Sequence, residues 1–288
     1  MIYVTGAAGF IGSHLVKELK SKNHKVMCCD VTSPLMIQPE DLLYNFKKNR
    51  PSVVFHLGAI SSTVESNTVS MTESNILLSC RLLEYCLALD IPFVYASSAS
   101  VYGLGEHGFS EASPHTPLNY YAISKSSFDM YALQKLKDKP DSRVFGLRFF
   151  NVYGTNEDHK GNMASPVHKF IKQSKEKGEI EIFKGSENFK RDFIHVSDVI
   201  KATLAAKDFA EPGIYNVGTG KAKSFKDVAL AVSEAMGSEI KEIAFPSHLV
   251  GKYQSYTCSN NTKIKSQGFK IKHKSLKDGV SQVLGLVK

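Results

Sequence analysis

The sequence predicts a doubly wound α/β protein: an open, mostly parallel sheet with helices on both faces. Three observations predict it. The chain opens on strand, glycine turn and helix. Short β-branched runs then alternate with stretches of helical apolar spacing over most of its length. Its 288 residues, 42% hydrophobic and 22% charged, have an ordinary globular composition with no linker, internal repeat or low-complexity tract.

The first element is "MIYVTGAAGFIGSHLVKEL". Ile2 to Thr5 read as a strand, Gly6, Gly9 and Gly12 as a turn, and Ile11, Leu15, Val16 and Leu19 as the apolar face of a helix. Glycines there let backbone approach a pyrophosphate, and the free N–H groups of the helix start attract its charge. In this strand–helix context the pattern points to a bound dinucleotide, with Gly6, Gly9, Phe10, Ile11 and Gly12 as contacts. The next strand, "KVMCCD", ends in Asp30, placed to hold the adenosine ribose and to repel a 2′-phosphate. A strand-end turn aspartate is the plainer reading of the same residue.

Only 22 residues separate Asp30 from Val53. They hold one amphipathic pattern, "PEDLLYNFKKN" (39–49), and no clear strand, so the sheet is expected to lack one edge strand. "SVVFHLGAISS" is a buried strand that runs Leu57, Gly58 and Ala59 toward a ligand edge. Residues 72–89 read as a helix, with Asn75 near its start as a cap or a ligand contact. "PFVYASSASVYG" is a strand ending in Ser97, Ser98 and Ser100, where open α/β sheets bind ligands. "LNYYAISKSSFDMYALQKL" follows as a helix. It sets Tyr121 and Lys125 four residues apart on one face, where the ammonium should favour the phenolate and let the tyrosine exchange a proton.

Farther on, His195 and Asp198 are expected to open a return strand and cap a helix. "GIYNVGTG" reads as strand and turn, and Ser224 as the cap of a helix running to about Met236. "KEIAF" (241–245) reads as a short strand and "SLKDGVSQVLGL" (275–286) as a closing helix.

Composition excludes some classes. The formal charge of +8 suits an anionic ligand, but Lys and Arg are scattered without an aromatic-interleaved stripe, so nucleic acid is not expected. Five cysteines without CxxC or zinc spacing read as thiols of a cytoplasmic protein, and no metal site is expected. No signal peptide or apolar run of membrane length is seen.

Together "TGAAGFIG", "SSASVYG", "YAISK", "RFFNVYG" and "RDFIHVSDV" resemble the extended short-chain dehydrogenase/reductase family of nucleotide-sugar epimerases and dehydratases. The order matches over nearly the whole chain. Within it, "HKGNMAS", "GSENFKRDF" and "FPSHLVGKYQSYT" are most similar to the ADP-L-glycero-D-manno-heptose 6-epimerases. The resemblance implies a Rossmann-like nucleotide domain (1–155 plus 193–217) and a smaller C-terminal substrate-binding lobe (156–192 plus 218–288). It implies NAD or NADP as cofactor, a nucleotide-diphosphate sugar as substrate, and a homo-oligomer.

By the same resemblance the reaction is epimerisation through a transient ketone. Tyr121 is the acid/base, Lys125 holds the nicotinamide ribose, Ser98 bonds the reacting oxygen, and Lys160 is a second base on the opposite face. Leu57, Gly58, Ala59, Asn75 and Val152 join the cofactor contacts. Asn151, Asn162, Phe183, Lys184, Gly185, Ser186, Arg191 and Tyr253 contact substrate, with Arg191 on the diphosphate. Asn162, Lys169 and Pro166 depart from the subfamily pattern, as does the loss of the lysines that follow the Asp30 strand there and favour NADP. Another 4-epimerase, dehydratase or reductase is the rival within the family, although Ala99 and Ser100 stand where a dehydratase needs an Asp-Glu pair. A non-catalytic dinucleotide sensor is the rival outside it.

Overall fold

The computed structural model describes residues 1–30, 44, 46, 48–63, 65, 67–246, 254–270 and 272–287. Six parallel strands form the central sheet: β1 (Ile2–Thr5), β2 (Val26–Cys29), β3 (Val53–His56), β4 (Phe93–Ser98), β5 (Val144–Phe149) and β10 (Gly213–Val217). Their order is β10-β5-β4-β3-β1-β2. The chain winds outward from β1 to β2, then returns to β3 on the other side, so a crevice opens at the carboxyl ends where the direction reverses.

Among the described residues β2 is the outermost strand. Residues 31–43, 45 and 47 lie outside the described residues, and with them most of the expected 39–49 helix and the question of a further edge strand. Tyr44, Phe46 and Lys48 have helical backbone, and the Phe46 ring meets Tyr3 edge-on at 4.8 Å.

Helices cover both faces, as the largely buried strands require. On one side α1 (Phe10–Ser21) packs beside α6 (Val196–Ala206) over Val4, Phe55, Val94 and Leu147. On the other, α3 (Leu78–Ala88) and α4 (Tyr120–Asp138) cover Tyr3, Val54, Phe93 and Tyr95. The expected 72–89 helix starts earlier and is not uniform. A first turn, α2 (Thr68–Met71), runs through a π-helical turn, Thr72–Leu77, into α3.

A second core joins α5 (Pro166–Lys177), β7 (Glu179–Phe183), α7 (Phe225–Met236), β12 (Glu239–Ile243) and α9 (Leu276–Val283). Local chemistry sets these elements. Pro166 occupies the first turn of α5, Ser165 caps it, and left-handed Gly178 ends it. Ser224 and Asp227 form a reciprocal capping box on α7. The expected 241–245 strand sits two residues earlier, because β12 pairs in parallel with β7 from Glu239 opposite Glu179. The closing helix is shorter than 275–286, since Gly285 turns left-handed (φ 73°).

Short strands connect the two cores. β6 (Asn151–Tyr153) pairs with β9 (Phe193–His195), and β8 (Lys190–Arg191) pairs with β11 (Lys223–Ser224). Ile264 on α8 (Thr262–Ser266) packs into the sheet's core although it follows residue 218. Among the described residues no helix is long and apolar enough to cross a membrane, and no cluster of His, Cys, Asp and Glu could hold a metal.

Candidate active site

The glycine turn is tight because its backbone segments touch. Gly6 takes φ +65°, and a Cβ there would lie 2.5 Å from Gly58 N. A Cβ on Gly12 would lie 1.9 Å from the Gly6 carbonyl oxygen. Gly9 begins α1 without a side-chain cap, and the first turn carries no acidic residue. The N–H groups and partial positive charge of α1 therefore face the crevice without a carboxylate of that turn against them. Asp30, at 8% exposure, reaches back from β2 to accept a hydrogen bond from Ala8 N at 2.9 Å. These features fit a dinucleotide: glycine where backbone must approach, a helix start for the pyrophosphate, and a carboxylate at the next strand end.

Leu57, Gly58 and Ala59 leave β3 beside this turn, each part-buried. Asn75 lies buried inside the π-helical turn, at 1% exposure. Its side chain accepts from Ile60 N (2.8 Å) and donates to Ile60 O (2.9 Å) and Ser124 Oγ (3.0 Å). Asn75 thus clasps the segment after β3 to α4 from a π-helical turn, a feature frequent at functional sites.

Ser98, Tyr121 and Lys125 come together at the carboxyl end of β4. Asn119 caps α4 through Ala122 N at 2.9 Å, which sets the helix over the strand end. The half-buried Tyr121 faces the Ser98 side chain, which lowers its pKa. Lys125, 7% exposed, donates from Nζ to Ala96 O at 2.9 Å and lies 6.0 Å from the Tyr121 ring centroid. Ser97 and Ser100 hydroxyls are buried without a hydrogen-bond partner among the described residues.

Electrostatics here differ from the sequence expectation. Burial raises the Tyr121 pKa, and it is the Ser98 hydrogen bond, not Lys125, that opposes the rise. The Lys125 ammonium is spent on a strand carbonyl instead of the phenol oxygen. Burial pushes Lys125 itself down to about 8, against the pull of Asp129. Asp129 continues the Tyr121–Lys125 face by one more turn. It is fully buried, accepting from Arg148 Nε (2.9 Å) and Tyr95 OH (3.0 Å).

Lys160 approaches the start of α1 from the segment after β6. It lies in a 3₁₀ turn, Asp158–Met163. Its Nζ stands over the Phe10 ring, 4.6 Å from the centroid, and 2.8 Å from Glu157 Oε2. The loop that carries it is fastened to α1: Asn156 Nδ2 donates to Ser13 Oγ at 3.0 Å, and His14 Nε2 lies 3.1 Å from Thr155 Oγ1. Asn162, in the same turn, is exposed.

Asn151 and Val152 are part-buried on β6, and Asn151 N–H donates to Asp192 O. Phe183, 37% exposed, meets Phe245 edge-on at 5.5 Å. Lys184 and Gly185 turn the chain after β7, Gly185 left-handed. Ser186 is buried, and its hydroxyl finds no hydrogen-bond partner among the described residues. Arg191, 7% exposed, lies over the Phe225 ring and donates to the carbonyls of Lys190 and Gln254. Tyr253 lies outside the described residues. His195 ends β9 and caps α6 by accepting from Ser197 N (3.2 Å) through Nδ1.

Glu157 and Asp129 escaped the sequence reading. Asp129 left a signal, since it stands four residues past Lys125. Glu157 sits in a loop without periodicity, and only its place three residues before Lys160 marks it.

The NAD dependent epimerase/dehydratase family model matches residues 2–218. The chain is 39% identical to an ADP-L-glycero-D-manno-heptose-6-epimerase of Alkalilimnicola ehrlichii, over 100% of this chain and 97% of that one. It is 40% identical to the Brachyspira hyodysenteriae protein of the same name, over 98% and 96%. Among solved structures, the Helicobacter pylori ADP-L-glycero-D-manno-heptose-6-epimerase superposes with a TM-score of 0.86 at 27% identity, covering 99% of this chain and 95% of that one.

Proposed function

Because the chain belongs to the NAD-dependent epimerase/dehydratase family, we propose that it is a nucleotide-sugar epimerase whose substrate is an ADP-glycero-manno-heptose, inverted at carbon 6. The observation that carries the reading is a pair of proton-transfer candidates held by different segments, each against a part of the proposed cofactor groove. Tyr121 stands at the end of β4, and Lys160 lies across Phe10 at the glycine turn. A simple oxidoreductase needs one such group; inversion of a hydroxyl-bearing carbon is served by one on each face.

Bound nicotinamide dinucleotide supplies the chemistry of taking up and returning hydride. The residues of this chain handle everything else. Gly6, Gly9, Phe10, Ile11 and Gly12 present backbone to the pyrophosphate, with Asp30 on the adenosine ribose. Leu57, Gly58, Ala59, Asn75 and Val152 line the rest of that groove, and Lys125 holds the nicotinamide ribose. Tyr121 exchanges a proton with the reacting oxygen, which Ser98 orients, and Lys160 does so from the opposite face. Arg191 offers the planar donor fork that suits a diphosphate, beside the Ser186 hydroxyl, Phe183, Lys184 and Gly185. Asn151, Asn162 and Tyr253 complete the substrate contacts.

The segments 1–155 plus 193–217 form the nucleotide domain in this reading, and 156–192 plus 218–288 the substrate lobe. The protein works in the cytoplasm as a homo-oligomer. NAD is preferred over NADP, since Asp30 repels a 2′-phosphate and no Lys or Arg stands between Asp30 and Lys47.

The test is turnover of ADP-D-glycero-D-manno-heptose by the purified protein, with UDP-glucose as the alternative substrate. The 6-epimer should form without net consumption of cofactor, and NAD should bind at least as tightly as NADP in a titration. Turnover of UDP-glucose alone would move the assignment to a 4-epimerase.

A further inference from the structure

Glu157 is a carboxylate with both oxygens engaged. It is fully buried, at 0% exposure. Oε1 accepts from Gly154 N (3.1 Å) and Ser165 Oγ (2.7 Å); Oε2 accepts from Ser165 N (2.8 Å) and Lys160 Nζ (2.8 Å). Burying a carboxylate is costly unless charge and hydrogen bonds compensate it. Three of these donors belong to rigid parts: the end of β6 and the cap of α5. They fix both oxygens in place. The fourth donor is Lys160, which the 3₁₀ turn sets three residues on and so on the same side of the chain.

A lysine stem has four rotatable bonds and a strongly hydrated head, so an untethered ammonium samples many positions. Here the head meets a fixed oxygen at one side and the Phe10 ring at another. The ammonium has three N–H donors; carboxylate and ring face engage two. Lys169 shows the same convergence: desolvation and then the Lys160 charge push its pKa down, while Glu157 pulls it up.

Resting on the reading of Lys160 as the second proton-transfer group, we infer that Glu157 is its positioning residue. The carboxylate touches neither substrate nor cofactor. It holds the Lys160 ammonium over Phe10 with one N–H directed away from both anchors, so that proton transfer at the second face starts from a fixed donor. The remaining bonds of Glu157 clasp the loop, and the inference is that the clasp serves the lysine.

Glu157→Gln tests this beside Lys160→Met. Gln keeps the volume and an acceptor for Gly154 and Ser165 Oγ, but turns an NH₂ toward Lys160. Epimerisation by Glu157→Gln should fall roughly 10²-fold in kcat, with the substrate KM little changed. Reduction of an ADP-sugar bearing an aldehyde at the reacting carbon, followed as loss of reduced-nicotinamide absorbance in one turnover, needs only the Tyr121 face and should continue. Thermal unfolding should stay cooperative. Should the Gln variant fail to fold, Glu157→Asp decides the matter, because it keeps the charge and shortens the reach; folded protein with slowed epimerisation and intact aldehyde reduction is again expected. Wild-type epimerisation by either folded variant overturns the inference, as does a parallel loss of both reactions, which would make Glu157 a loop clasp alone. Undiminished epimerisation by Lys160→Met would instead remove the functional reading beneath it.

Discussion

Tyr121 is the residue on which the proposed chemistry turns, and its surroundings set the terms. Burial disfavours the phenolate, and the Ser98 hydrogen bond favours it. In this structure the Lys125 ammonium bonds the Ala96 carbonyl and adds nothing to the balance at the Tyr121 phenol. Tyr121→Phe keeps the ring and removes only the proton path. Epimerisation should drop roughly 10²–10⁴-fold while the dinucleotide stays bound; a turnover assay paired with cofactor analysis of the purified variant checks it, and near-normal turnover would remove Tyr121 from the mechanism. At this scale much of the site was legible in the sequence. Ser98 announced itself as a hydroxyl at a strand end, and Tyr121 and Lys125 by helical spacing. Glu157 did not, because a carboxylate that faces a lysine through a 3₁₀ turn has no periodic pattern to betray it. The effect of Lys125 on the phenol was misjudged for a related reason. Spacing tells which side chains share a helix face, not which strand carbonyl takes the ammonium.

At the scale of elements, the glycine turn shows how little tolerance the crevice has. Gly12 lies inside α1, where glycine costs about 1 kcal/mol against alanine in an open helix. Here the ranking reverses, because the Cβ would sit 1.9 Å from the Gly6 carbonyl oxygen, a backbone atom that cannot swing aside. Gly12→Ala should therefore push α1 off the turn, costing about 1–3 kcal/mol in stability and abolishing dinucleotide binding. Gly9→Ala is the control. Its Cβ would stand 3.2 Å from the same oxygen, tight but far short of the 1.9 Å overlap at Gly12, at a φ of −68° that any residue adopts, so urea unfolding should move by clearly less than for Gly12→Ala. Equal effects of the two substitutions would refute this account of the turn. Elements with a local cause were readable from sequence: β1–turn–α1, β4 with its terminal serines, α7 with its Ser224 cap. The π-helical turn at Thr72–Leu77 was not, since it follows from Asn75 reaching Ile60 and Ser124, partners 15 and 49 residues away. The frame of β12 was set by β7 and not by its own apolar pattern.

Across the whole molecule, buried aspartates fasten segments that no local pattern links. Asp192, fully buried, accepts from Thr219 N (2.8 Å), Gly220 N (2.9 Å) and Ser259 N (3.0 Å), tying three stretches of chain behind Arg191. Asp198 does the same for the C-terminal segment. From the first turn of α6 it accepts from Lys274 N at 2.8 Å and Lys201 Nζ at 3.1 Å, with His273 Nδ1 at 3.6 Å. Burial alone would push its pKa up, but His273, Lys274 and Lys201 outweigh burial and hold it down to about 2. A carboxylate depressed in the folded state contributes stability above its unfolded value near 4, and loses it as pH falls through the folded value. The window is therefore roughly pH 4 down to pH 2, and the contribution about 2 kcal/mol. Asp198→Asn keeps the shape and an acceptor while removing the charge. In urea unfolding at neutral pH the variant should be less stable by about that amount. The difference should narrow below pH 4 and vanish only below pH 2, where the wild-type carboxylate is itself protonated. A gap that stays constant over this range would mean that Asp198 holds the C-terminal segment by shape and hydrogen bonding, with no contribution from its charge.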